Sequence, residues 1–479
     1  MKKTIIYIVA LLFILLGRFI PAPAGMTASG MQVLAILLGV LLLWLTTSID
    51  WPSFLGLAGL VFVPELKMAG ILSSSFGNAT FAFLLFTFLC TYAVGQTSFV
   101  RKCAITFISN KIASKGSWYF ITVYCLSVLL IGMFMSPVVL FVIYMPILDT
   151  ICNELKLEKN DKLANVLMLG TLMSCAISCG MTPISHTFPI MALGFYQEMS
   201  GGLTISYTAY MGACIPVGII CFIVMLLTFR FIMRPDTRKL KNLDLSALKA
   251  EIQPMDKREK FILTIFFSVI AMWILPDFIK PLLPEVSEFF SSKGTTFPPM
   301  IGAIAMFMIS VDGKPLLNFK EAMAKGVQWG GLIMAAATLA IGSAMTNTDI
   351  ALTSWISGSI EPALASLAPL AIILVFTIWA FVMTNACSNM VTTTVVCAVA
   401  IPICLASNGT LSAAAMASMI GMAASYAFIL PPAHPNVALA IGTGWTNTSQ
   451  VIRYGVIVMI TAIIATISVG YPIAAALMK

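Results

Sequence analysis

The sequence predicts an all-α polytopic membrane protein of about 11 transmembrane helices, with two re-entrant helical hairpins, arranged as an inverted-topology repeat. Three observations predict it. First, 59% of the 479 residues are hydrophobic and only 10% are charged, against about 25% charged in soluble domains; that excludes an ordinary soluble enzyme and makes the bilayer the solvent for most of the chain. Second, apolar runs recur along the whole length, and about 20 such residues cross the hydrocarbon core. Third, Lys and Arg fall almost entirely on one alternating set of loops, as the positive-inside rule requires. The net charge of +8 is therefore a topology signal and does not point to nucleic acid.

The apolar runs place spans near 4–20, 29–49, 53–66, 79–98, 163–195 and 207–229, then near 261–276, 297–311, 328–347, 411–444 and 455–477. Two further runs, 117–150 and 365–407, are too long for one crossing and are interrupted at Ser136-Pro137 and between Thr384 and Asn389. Each reads as a hairpin that enters and leaves on the same side, since irregular backbone at membrane depth survives only inside protein. With the N-terminus cytoplasmic and the C-terminus external, the inner loops hold 22 of the 27 Lys and Arg, and residues 326–452 contain none. A full crossing at either hairpin would spoil that partition.

The chain then divides into a first helix (1–28), a first repeat (29–234), a basic linker (235–260) and a second repeat (261–479). An odd number of spans in each repeat turns the second upside down relative to the first, the arrangement of many secondary transporters. Lys2-Lys3, the apolar residues after them and Ala22-Pro23-Ala24 also fit a cleaved signal peptide. The 11 Cys lie mostly in apolar spans without metal-ligand spacing and read as small core hydrophobes.

In each half the hairpin is followed by a long span that is itself broken: Met181-Thr182-Pro183-Ile184-Ser185-His186-Thr187-Phe188-Pro189 within 163–195, and Leu430-Pro431-Pro432-Ala433-His434-Pro435-Asn436 within 411–444. Proline removes a backbone donor and kinks a helix, so four breaks should expose helix ends in the interior. Helix N-termini carry about half a positive charge and free N–H groups, which makes a converging set an anion site without Lys or Arg. Freed carbonyls and hydroxyls would hold a small cation nearby. Asp149, Asp349 and Glu361 fall near the membrane edges, which argues against a carboxylate proton relay. The chain's two His residues sit in the two broken spans. One intramembrane His is commonly a structural donor; two at matched places point to the substrate. Pro kinks also serve plain helix packing, but four in corresponding places are harder to assign to packing alone.

These residues resemble the divalent anion/sodium symporter family, solute carrier family 13, over nearly the whole chain. The family's hairpin signature Ser-Asn-Thr is matched by Ser388-Asn389-Met390 after Thr384, and its Leu-Pro-x-Ala-Thr-Pro motif by Leu430 to Pro435. The first half departs from the pattern: Ser136-Pro137-Val138 stands for Ser-Asn-Thr, and Ser185-His186 for Gly-Thr. The resemblance implies a homodimer of 11-span chains that carries a small anion by an elevator motion coupled to sodium. It implies substrate contacts at Ser136, Pro137, Val138, Thr182, His186, Thr187, Ser388, Asn389, Met390, His434 and Pro435. It further implies a second-half sodium site at Thr384, Cys387, Asn389 and Ala433, and a first-half site at Gly132, Ser136 and Ser185, where Pro137 removes the side-chain ligand. Both His residues replace substrate-contacting Thr, which suggests an altered substrate or partial proton coupling. Val391 to Ile401 is about one turn longer than its first-half counterpart.

The expected function is secondary active transport of di- or tricarboxylates, less so sulfate, in a bacterial-type inner membrane. The partners are then the anion and the lipid bilayer, with no nucleic acid and no organic cofactor. A sodium-independent anion exchanger is the alternative, and a membrane-embedded enzyme or channel the remote one.

Overall fold

Asn78, Asp161, Ser206, Asp256 and Ser412 are side chains of the type that favours a helix start, and in the computed structural model each caps a helix by accepting a backbone N–H with its side chain. The structure describes residues 2–159, 161–243, 245–250, 254–352, 354–355, 358–359, 368–407 and 409–478. It is helical throughout, apart from a two-residue ladder pairing Ser310–Val311 with Lys314–Pro315.

Both interrupted runs form helix–break–helix units: Ser117–Gly132 with Pro137–Glu154, and Pro369–Ala386 with Asn389–Ala406. Both later spans are broken where their prolines fall, into Lys162–Met181 and Thr187–Met199, and into Ala413–Ser425 and Pro435–Gly442. Among the described residues nine helices are long and apolar enough to cross a membrane, or ten if Met68–Ser74 and Ala79–Gly95, bent by 42°, count as one. That tally differs from 11 spans for identifiable reasons. Three of the nine, Pro137–Glu154, Pro369–Ala386 and Asn389–Ala406, belong to the helix–break–helix units, while Lys2–Leu16 and Ala413–Ser425 are shorter than a full crossing. The expected span 53–66 is cut back to Trp51–Leu60, about 15 Å at 1.5 Å per residue, because Pro64 and Glu65 follow; Glu65 instead accepts a hydrogen bond from Ser29 at 2.7 Å. The second arms of the two hairpins are both 18 residues long. The extra turn expected in Val391 to Ile401 therefore moves Pro402 along its helix relative to Pro146 and does not lengthen the arm. Glu361 lies outside the described residues.

Burial sorts the helices. Leu163 to Met181 are all buried, and so is every residue of Ala413–Ser425, although these segments carry Asn165, Thr171, Ser174, Ser178, Ser418 and Ser425. The outward faces instead present Leu38, Ile223, Phe267, Leu374, Val382 and Ile464, apolar side chains suited to lipid. The broken spans thus form the centre of the bundle, where broken backbone can be satisfied by protein.

Small residues allow the central helices to touch. A Cβ at Gly421 would lie 2.9 Å from the Pro189 Cα, and one at Gly180 would lie 2.6 Å from the Tyr426 ring. Thr187–Met199 packs on Ala413–Ser425 and on Asn389–Ala406, and Lys162–Met181 packs on both arms of the first hairpin. The four breaks are held together by these contacts.

Candidate functional site

The backbone repeats itself at the breaks. Ser136 and Ser388, each the residue before a hairpin's second helix, have φ/ψ of −55°/132° and −59°/130°. His186 and His434, each before the second half of a broken span, have −142°/146° and −154°/141°. Non-helical torsions at the cap followed at once by helix aim the first-turn N–H groups outward along the axis. All four N-termini open onto one cavity of about 440 Å³.

Within it, Ser136, Pro137, Val138, Ser185, His186 and Thr187 come from the first half, and Ser388, Asn389, Met390, Ala433, His434 and Pro435 from the second. Ser136, Ser388 and His186 do not cap their own helices. Among the described residues the N–H groups of Val138, Val139, Met390 and Val391 have no protein acceptor. Orphan donors at converging positive helix ends are complementary to an anion.

Thr182 is turned away from the cavity, and its hydroxyl donates to the Met133 carbonyl at 2.5 Å. Gly132, Thr384 and Cys387 also lie outside the cavity lining. Gly132 gives close approach to Ser178, whose Oγ would lie 2.1 Å from an added Cβ. The Cys387 thiol donates to the Met383 carbonyl at 3.1 Å.

The expected cation positions divide by half. One terminal atom of the Asn389 amide lies 3.0 Å from the Ala433 carbonyl oxygen, 3.2 Å from the Thr384 carbonyl oxygen and 3.0 Å from Thr384 Oγ1. Nitrogen at that position donates to both carbonyls and satisfies them; with the amide turned over around a bound cation, its oxygen would complete an all-oxygen cradle. Hard-oxygen donors from one amide, two carbonyls and a hydroxyl fit a small cation. In the first half the Ser185 hydroxyl is buried without a partner, but no amide joins it. The Pro137 carbonyl is already taken by Asn436 Nδ2 at 3.0 Å and by the Cys175 thiol at 3.3 Å.

Sequence reasoning passed over several residues here. Asn385 accepts the N–H groups of Phe428 and Ile429 at 3.1 Å each and donates to the Tyr426 carbonyl at 2.9 Å, which fixes the break of the second broken span. Asn436 does the corresponding task across the halves. Thr87, Phe88, Thr91 and Tyr92 line the opposite wall; their i, i+4 spacing on Ala79–Gly95 was the available signal. One charged side chain stands at the edge of the site. Lys325, in a loop expected on the cytoplasmic side, lines the cavity mouth and pairs with Glu321 at 3.1 Å. The Lys325 hydrogen bond holds the Glu321 carboxyl below the usual carboxylate range, so both groups are charged at neutral pH. Asp149 lies off the cavity, accepting from Trp445 Nε1 at 2.6 Å, and so does Asp349 beside Asn347.

A cation at the mouth steers an anion through a field that salt screens. Lys325→Gln should therefore raise the KM for a dianion severalfold at low ionic strength, with little difference left at about 0.5 M salt. Uptake measured across a salt series checks this, and a salt-independent change would assign Lys325 to structure.

Fold and site together define a polytopic helical membrane protein with an internal cavity at its broken helices. Residues 1–478 match the family model described as the sodium:sulfate symporter transmembrane region, and the chain belongs to that family, the divalent anion/sodium symporters. It is 25% identical over 472 residues to the sodium-dependent dicarboxylate transporter SdcS of Staphylococcus saprophyticus, covering 94% of this chain and 87% of that one. It is 24% identical over 493 residues to SdcS of Staphylococcus aureus strain USA300, covering 96% and 89%. The fold is shared with the Alcanivorax borkumensis YdaH transporter, at TM-score 0.55 and 13% identity over 86% of this chain and 88% of that one. Neisseria gonorrhoeae MtrF also matches at TM-score 0.55, with 11% identity over 86% and 84%. These relatives are transporters, and the chain is read as a transporter and not an enzyme.

Proposed function

We propose that this chain is a sodium-coupled secondary transporter of di- or tricarboxylates. One observation carries the reading: four helix N-termini, two from each half, meet at a cavity with unpaired N–H donors. Such a cavity neutralises a dianion by oriented dipoles, without the strong desolvation that burying a Lys or Arg would bring. The sodium-dependent dicarboxylate transport of the SdcS relatives supports the dicarboxylate, and the cradle that a turned Asn389 amide would complete with Thr384 and Ala433 supports coupling to sodium as co-transported cargo. Cation and anion would share the Asn389 hairpin tip, so each strengthens binding of the other by linkage.

The near-identical cap torsions in the two halves support the inverted repeat divided at the basic linker, with residues 117–150 and 365–407 as re-entrant hairpins. The Lys and Arg distribution supports a cytoplasmic N-terminus and an external C-terminus. In that orientation the cavity, with Lys325 at its mouth, would open to the cytoplasm. The hairpins and broken spans would move as one unit past the remaining helices of a dimeric scaffold. Uptake of a radiolabelled dicarboxylate into proteoliposomes, with and without an inward sodium gradient, tests the proposal; uptake that is equal without sodium rejects sodium coupling.

A second reading, exchange of anions without sodium, is favoured by the Pro137 carbonyl, which is occupied by Asn436 and Cys175 where a first-half cation would need it. Counterflow that runs undiminished without sodium would select it.

A further inference from the structure

The two histidines that face the cavity do not offer the same hydrogen bond. His434 caps its own helix: its Nδ1 accepts the backbone N–H of Asn436 at 3.2 Å. A backbone N–H can only donate, so Nδ1 is bare and the proton of the neutral ring is on Nε2. His186 is held the other way. Its Nδ1 lies 3.1 Å from Ser425 Oγ, and the single hydroxyl proton of Ser425 is directed to the Gly421 carbonyl at 3.2 Å, the common back-bond of a helical serine. With that proton on the Gly421 carbonyl, Ser425 accepts from His186 Nδ1, which leaves His186 Nε2 as a lone pair.

Neither Nε2 has a protein partner among the described residues, and neither is among the fully buried unsatisfied atoms. Both rings line the cavity, with centroids 6.3 Å apart, and Phe188 fixes the His186 ring edge-on at 4.2 Å. The cavity thus presents one N–H donor, His434 Nε2, beside one bare acceptor, His186 Nε2. A carboxylate satisfies the first and faces the second lone pair against lone pair. An anion with its own O–H next to a carboxylate satisfies both.

We infer that the preferred substrate is a 2-hydroxy di- or tricarboxylate, recognised by the opposed tautomers of His186 and His434 and set by Ser425. This rests on the transport reading above and narrows it. Sulfate and unhydroxylated dicarboxylates leave the His186 acceptor unpaired, and a site built for a hydroxyl discriminates strongly against ligands that lack one. Ser425 is a positioning residue that acts through His186.

Binding of malate, succinate and hydrogen phosphate to the purified full chain, at saturating sodium, tests the assignment. Malate should bind about 10- to 100-fold more tightly than succinate, and more tightly than hydrogen phosphate, which has an O–H but no carboxylate. In Ser425→Ala the His186 ring is free to present Nε2–H, and in His186→Gln the amide can turn its NH2 to a carboxylate. Both should bring the malate-to-succinate ratio toward 1, while Ser425→Thr, which keeps the hydroxyl, restores it. A wild-type ratio near 1 with both acids bound overturns this inference and leaves dicarboxylate transport standing. Hydrogen phosphate outbinding malate overturns it in favour of a different O–H-bearing anion. An unchanged ratio in Ser425→Ala overturns the tautomer assignment. No binding of any carboxylate overturns both this inference and the transport reading.

Discussion

Asn389→Ala is expected to reduce sodium-dependent uptake by a factor between about 10 and 1,000. The side-chain amide faces two buried carbonyls, Ala433 at 3.0 Å and Thr384 at 3.2 Å. Removing it strips a cation of one oxygen ligand and, with no cation present, leaves both carbonyls unsatisfied, at about 1–3 kcal/mol per buried group. The same residue opens the helix whose next N–H groups, from Met390 and Val391, have no protein acceptor, so the loss should fall on both ligands together. Asn389→Asp keeps a side-chain oxygen and should retain sodium dependence while weakening the anion, because it sets a negative charge at the same helix end. Initial uptake rates over a sodium series separate these effects. An alanine variant with a wild-type sodium curve would remove the cradle from the mechanism.

Gly421→Val should destabilise the protein by about 3 kcal/mol or more, near the upper range for forcing atoms into a packed core. An added Cβ lies 2.9 Å from Pro189 Cα, 2.9 Å from Ala192 Cβ and 3.3 Å from the Phe188 carbonyl oxygen. Two of those three atoms are backbone of the other broken span, which cannot turn aside as a flexible side chain could. The two central helices would have to separate, and His186 and Ser425, on either side of that contact, would part with them. Gly442→Ala is the control, since nothing lies within 4 Å of its added Cβ. Thermal unfolding in detergent should shift strongly for the first and negligibly for the second. Equal midpoints would mean that the helix contact at Gly421 yields easily.

Proline and histidine made the broken centre of the fold legible because they carry local physical meaning. Pro137, Pro183, Pro189, Pro431, Pro432 and Pro435 cannot sit inside continuous hydrogen-bonded helix without consequence, and the breaks fall beside them. The charge of loops is similarly local. What could not be read was whatever depends on partners distant in sequence. The opposite wall of the cavity comes from Thr87 to Tyr92 and from Lys325 to Gly331, and no local pattern ties these to His186 or His434. Asn385 lies between Thr384 and Asn389 and Asn436 closes the second proline-rich break, yet the role of each depends on carbonyls and N–H groups supplied by other segments. Thr182 erred in the opposite direction: the motif suggested a substrate contact, whereas tertiary packing gives its hydroxyl to Met133. The short Trp51–Leu60 shows that an apolar run sets an upper limit on a helix, and a following proline can end it early.

Oriented N–H groups at helix ends, rather than basic side chains at depth, bind the anion in this account, and Val138→Asp tests that most directly. Val138 is the second residue of Pro137–Glu154 and lines the cavity. An aspartate in the first turn of a helix is favourable for the helix itself, so folding should survive while the charge occupies the position meant for the substrate. Calorimetric titration of the purified variant with a dicarboxylate at saturating sodium should give binding weakened by at least about 100-fold, the upper range of one strong charge interaction, with an unfolding midpoint equal to or above wild type. Wild-type affinity in a folded Val138→Asp protein would contradict the account and place the anion elsewhere.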